Sequence, residues 1–240
     1  MPPAFASTLP RFDTALPRAS DFRRRLRQSG SDTAGGSGTG STLDPTLDVS
    51  LLQDLQRFDR AGSSGAGLEA LEVVAAAVRH GRGLRLMLEH EGLVLPLTVM
   101  PIERVVHAPL PLAQWELLRW STMKVLQVEG VSTPPPDQHH APLGLVLWAL
   151  ALHGARAQLL PEIAGPVAYR IAPSADFSGL ELDGTLAAAV ARLRRQATAL
   201  AGISNWPGLD RERACRLLNG LYLQSGLIIT RSQPGAAGGH

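Results

Sequence analysis

A chain of 240 residues that is 45% hydrophobic and 18% charged can bury a proper core, which excludes a disordered chain as a whole. A formal net charge of +2 is near neutral, so overall charge does not by itself imply a nucleic-acid partner. One cysteine excludes an internal disulfide framework, and no apolar run reaches the roughly 20 residues that a spanning helix needs. All but Lys124 of the 23 basic residues are arginine, and with abundant Ala, Leu, Gly and Pro this points to a GC-rich bacterial genome. It also lowers the weight of any one arginine as a binding residue. The start of the chain lacks the charged segment and apolar core of a signal peptide, so the cytoplasm is the expected compartment.

Residues 1–49 read as a flexible arm. Pro2, Pro3, Pro10 and Pro17 interrupt it, and the Gly/Ser/Thr-rich stretch 29–42 has too few apolar groups to offset chain entropy. Between them, Asp21 to Arg27 form a basic segment with Phe22 and Leu26 four apart. That spacing suits an amphipathic turn, although a solvated arginine cluster is the simpler expectation. Removal of about the first 45 residues is therefore expected to spare the folded core.

Leu51, Leu52, Leu55 and Phe58 repeat at helical spacing over 50–58, and Gly62-Ser63-Ser64-Gly65 interrupts. A second helix is predicted over 68–80, with Leu71, Val74, Ala75 and Val78 inward and Gly81 closing it. The period then drops to two. Leu84, Leu86 and Leu88 alternate with polar or flexible residues, His90-Glu91-Gly92 turns, and Leu93, Leu95, Leu97 and Val99 resume, which predicts a β-hairpin with one apolar face. Pro96 has no amide to donate, so its strand is expected at an edge or with a bulge. A third strand is predicted within 102–107, a helix over 112–120 and a strand over 124–129. Residues 50–130 thus read as an α+β domain with a small, mainly antiparallel sheet.

The proline-rich stretch 131–142, with Pro134-Pro135-Pro136, reads as an extended linker. Residues 143–231 read as a second, largely helical domain: a buried helix over 143–153, a turn near 159–163 and a strand over 167–171. Asp183 and Thr185 can cap a helix whose buried face is Leu186, Ala189, Val190 and Leu193. A short helix at 198–203 is broken by Asn205-Trp206-Pro207-Gly208. Asp210 starts a third helix with Ala214, Leu217, Leu218 and Leu221 inward and Arg211, Arg213, Arg216 and Asn219 on the opposite face. Gly226 is expected to end it, strand 227–230 follows, and 232–240 is a flexible tail.

This order of helix, short helix, breaker, helix, glycine and strand resembles the winged helix-turn-helix superfamily over about a fifth of the chain. The resemblance implies a three-helix unit whose third helix can enter a DNA major groove or serve as a protein-docking module. Arginine pairs bidentately with guanine and asparagine with adenine, so Arg211, Arg213, Arg216 and Asn219, with Arg231 on the strand, are the candidate partner- or DNA-binding residues.

Chemical groups are sparse elsewhere. Asp137-Gln138-His139-His140 gathers potential ligands, but adjacent histidines diverge and no partner stands at ligand spacing, so no metal and no cofactor is expected. Glu89-His90-Glu91 falls at a hairpin tip, and His107 near a strand end. Gly35 to Gly40 lack the lysine of a phosphate loop, and no serine lies in a nucleophile elbow. Cys215 sits inside the third helix with no histidine nearby in sequence. No catalytic residue is assigned. The expectation is a non-catalytic bacterial regulatory or scaffold protein acting through protein contacts of its two modules. The alternative is a DNA-binding transcriptional regulator, and a hydrolase or metal enzyme around His139 and His140 is the remotest reading.

Overall fold

A computed structural model of the chain describes residues 16–30, 42–43, 47–61, 68–111, 114–115, 120–136 and 138–231. The period-two stretch forms strands β2 (Leu84–His90) and β3 (Leu93–Met100), with Leu86 opposite Leu97 and Leu88 opposite Leu95. Glu91 and Gly92 turn the hairpin at φ 49° and 81°, the paired left-handed conformation that matches strand twist. The cross-strand leucines face helices α2 (Val49–Ala61) and α3 (Ala70–His80). Burial of each such side chain contributes about 1.5–3 kcal/mol. Gly81 closes α3 at φ 59°, its N–H returning to the carbonyls of Ala77 and Val78.

The sheet has six strands in the order β1-β5-β2-β3-β4-β6, with β1 (Thr42–Leu43), β4 (Val105–Ala108), β5 (Lys124–Gly130) and β6 (His139–Pro142). All its pairings are antiparallel except the two-residue contact of β1 with β5. The fold is α+β, as the sequence predicts. Two expectations change. Strand β3 is internal, not an edge: β4 reaches only Thr98–Met100, and the amide of Val94 bonds to the carbonyl of Pro17 at 2.8 Å. Pro96 falls between these two contacts, on the side where neither partner asks for a donor. The end of the expected linker is also not a spacer, because His139–Pro142 pairs with β4 as the outer strand.

Part of the expected arm is structured as well. Helix α1 (Ala19–Gly30) starts where the amide of Ala19 bonds to the carbonyl of Gly92 at 2.7 Å, and Arg23 pairs with Glu89. Residues 31–41 of the Gly/Ser/Thr-rich stretch, the break at 62–65, most of the helix expected over 112–120, and the tail lie outside the described residues.

Helix α4 (Leu143–His153) matches its predicted span and joins two cores. Leu143, Val146, Leu147, Leu150 and Ala151 belong to the first, while Trp148 belongs to the second. The second core lies between a three-stranded antiparallel sheet and helices α5 (Gly184–Arg195), α6 (Leu200–Ile203) and α7 (Arg211–Leu223). That sheet has the order β8-β7-β9, from β7 (Val167–Ile171), β8 (Thr198–Ala199) and β9 (Leu227–Arg231). The short helix expected over 198–203 is therefore two strand residues followed by one helical turn. Asp183 and Asp210 cap α5 and α7 as predicted, accepting from Leu186 N at 2.8 Å and Arg213 N at 2.7 Å. At the end of α7 the left-handed residue is Ser225 (φ 56°), not Gly226. Gly226 serves a different purpose, since a side chain there would strike the ring of Phe177.

Segment 154–163 ties the two cores together. Arg156 pairs with Glu69 (3.2 Å) and Glu72 of α3 and donates to Leu159 O at 2.9 Å. Arg79 of the same helix pairs with Glu162.

Candidate functional site

Helix α4 has no polar face. Between Leu143 and His153 every residue except Gly144 is apolar, and such a helix belongs in surroundings that are apolar on all sides. One side enters the first core and another meets α7, where Gly220 lets the Trp148 ring approach the backbone. A Cβ at position 220 would lie 2.7 Å from that ring. The third side carries Leu145, Ala149 and Leu152, spaced four and three apart, and all three are only half-buried. They floor a groove of about 1360 Å³.

Three indoles shape the groove. Trp115 donates its ring N–H to Leu110 O (3.0 Å) and lies 5.9 Å from Trp120, so the pair forms a fixed wall against α4. Trp148 donates to Glu181 O (3.3 Å), which holds the segment containing Leu182 as the opposite wall. The first turns of α7 complete the lining with Glu212, Arg213 and Arg216.

The charges of this rim are sorted by depth. Arg216 donates to Gly154 O (2.7 Å) and Leu152 O (3.2 Å) and to Glu212 (2.9 Å), leaving its side chain 14% exposed while that of Glu212 is 56% exposed. Arg213 donates to Gly208 O at 3.0 Å and pairs with Asp183, whose side chain is 53% exposed. Both guanidiniums are thus engaged on α4, α5 and the turn before α7, Arg216 deeply and Arg213 with 40% of its side chain still exposed, and each carboxylate is the more open partner of its pair. Arg216 also satisfies the last carbonyls of α4, where positive charge complements the helix dipole.

The five candidate residues from sequence do not form one face. Arg211 and Arg231 are exposed, the latter donating to Glu162 O at 3.2 Å. Arg213 and Arg216 make the internal contacts just described. Asn219 is a correction: it is fully buried, accepts from Leu160 N and donates to Gln158 O, both at 2.9 Å. The face of α7 that looked polar and free is packed on α4 and the 154–163 segment, because Arg216, Asn219 and Gly220 recur at helical spacing as a second inward stripe. Gly220 was the available signal, since a mid-helix glycine marks close approach of a neighbour. The groove itself was missed because its walls come from residues far apart in the chain.

Other sequence candidates lie apart from this site. His139 and His140 are exposed on β6, and the rings of His140 and His107 are 6.2 Å apart. Burial, followed by the neighbouring His140, holds His107 below the ordinary imidazole range, with Glu103 opposing. Among the described residues no group of three or more His, Cys, Asp or Glu side chains could hold a metal ion, and Asp137 lies outside them. Cys215 is buried, and burial pushes its thiol up. Comparison of the chain with protein-family models, curated proteins and solved structures gave no match.

Proposed function

We propose that this chain is a non-catalytic regulatory or scaffold protein of the bacterial cytoplasm that docks a protein segment in the groove along α4. The observation that carries the reading is the half-buried stripe Leu145, Ala149 and Leu152 on a helix apolar on every side. A stripe of that length and spacing is what grooves receiving a partner's helix present. The cytoplasmic reading is compatible with the described helices, none of which is long and apolar enough to cross a membrane.

The winged-helix reading of the C-terminal module is retained as part of the proposal. In its support stand the order α5, β8, α6, α7, β9 and the antiparallel sheet β8-β7-β9. The middle strand is supplied from upstream of α5 and not by a wing returning after β9. The packing of α7 on α4 favours docking over groove reading of DNA, since Arg216 and Asn219 are internally engaged.

The test is site-specific photo-crosslinking in the host cell, with a benzophenone amino acid at Ala149 and, as a control, at Thr230 on the outer face of the second sheet. A discrete protein adduct at 149 and not at 230 supports docking along α4. Absence of any adduct specific to 149 refutes it.

A further inference from the structure

We infer that the segment this groove receives is a basic amphipathic helix of a partner protein, an inference that rests on the groove being the docking site. Two features of the groove narrow the occupant. The first is shape. Its borders are α4, the start of α7, the turn around Trp120 and the segment near Leu182, so among the described residues no strand edge lines it. An extended peptide would find no row of backbone donors and acceptors there, and recognition must come from side chains set into apolar surface. Leu145 to Leu152 covers about 10 Å of helix axis at 1.5 Å per residue. That matches two turns of a facing helix with apolar anchors three or four residues apart.

The second feature is charge. Among the described residues around this apolar floor, carboxylates are more open than guanidiniums: Glu181 is exposed, and the side chains of Asp183 and Glu212 are 53% and 56% exposed against 40% for Arg213 and 14% for Arg216. Arg216 is withdrawn beneath Glu212 and onto the carbonyls of Leu152 and Gly154, and Arg213, still partly open, is engaged by Gly208 and Asp183. The bonds that turn these arginines inward are the same ones that anchor α4 and α7, so the acid-outward arrangement is built into the packing. A segment with lysine or arginine flanking its apolar stripe meets complementary potential, and an acidic one meets repulsion.

The experiment uses the full chain and three fluorescein-labelled peptides of about 18 residues, long enough to hold a helix. One carries a leucine stripe with lysines, one the same stripe with glutamates, and one the lysine composition scrambled so that no stripe forms. Binding is read by anisotropy at low and high salt and by the emission of the groove tryptophans. The lysine peptide is expected to bind at least about tenfold more tightly than the other two, with the preference reduced by salt. Glu181→Lys should reverse the preference without touching a capping or core contact, and Glu181→Lys with Glu212→Lys should strengthen the reversal. Ala149→Arg, its fold verified by circular dichroism, should abolish binding.

Equal or tighter binding of the glutamate peptide, still lost in Ala149→Arg, overturns the basic partner while leaving the groove as a docking site. Binding that Ala149→Arg does not affect, or no binding by any peptide, overturns both. A self-associated wild type that Glu181→Lys converts to monomer places a second copy in the groove and overturns the inference as well.

Discussion

Replacing Asn219 by alanine separates the two roles that the sequence and the structure assign to this residue. A base-reading asparagine would be dispensable for folding, whereas the observed one closes two backbone bonds inside the protein. Leu160 is fully buried, so its amide would be left without a partner, at a cost of about 1–3 kcal/mol. Gln158 is exposed and water can replace the lost donor at its carbonyl, which adds little. The space left by the amide adds roughly 1 kcal/mol. The expected loss is therefore about 2–4 kcal/mol, seen as a fall of roughly 5–15 °C in Tm and a lower urea midpoint. Asn219→Asp should be no better, because its carboxylate still accepts from Leu160 but faces the Gln158 carbonyl as a buried anion. Stability within about 0.5 kcal/mol of wild type for Asn219→Ala would refute the assignment and return α7 to consideration as an exposed reading helix.

Two further predictions concern contacts that hold α4 and α3 in place. Gly220→Val puts a branched side chain where even a Cβ lies 2.7 Å from the Trp148 ring, so it should cost about 2 kcal/mol or more and shift tryptophan emission; an unchanged melting curve and spectrum would show that α4 and α7 do not meet there. Burial raises the Glu72 carboxyl above its ordinary 4.5, with Arg156 opposing. The folded chain then holds that proton more tightly than the unfolded chain, so stability falls as pH rises from about 4.5 through the raised value and stays lower above it. Urea titrations across this range should show wild type losing stability relative to Glu72→Gln; a difference that is flat or that grows in favour of wild type would contradict the burial argument.

Much of the fold was legible locally. The change of period from near four to two over 68–99 located α3 and the hairpin, the left-handed Gly81 closed the helix, and Asp183 and Asp210 marked helix starts, because each of these signals depends on residues a few positions away. The lack of any polar residue in 145–152 likewise pointed to a buried helix, although one of its sides, with Leu145, Ala149 and Leu152, is only half-buried. What the linear order left open was which surfaces meet. Arg216 and Asn219 are polar, and polarity alone cannot distinguish a side chain facing water from one satisfying a buried carbonyl or amide supplied by residues 152–160. Pro96 announces a missing donor, but whether that gap lies at an edge or between two short partners depends on where Pro17 and β4 arrive. The groove is the extreme case: Trp120, Ala149, Leu182 and Glu212 carry no shared sequence signal, and only tertiary packing brings an apolar floor and a charged rim to one place.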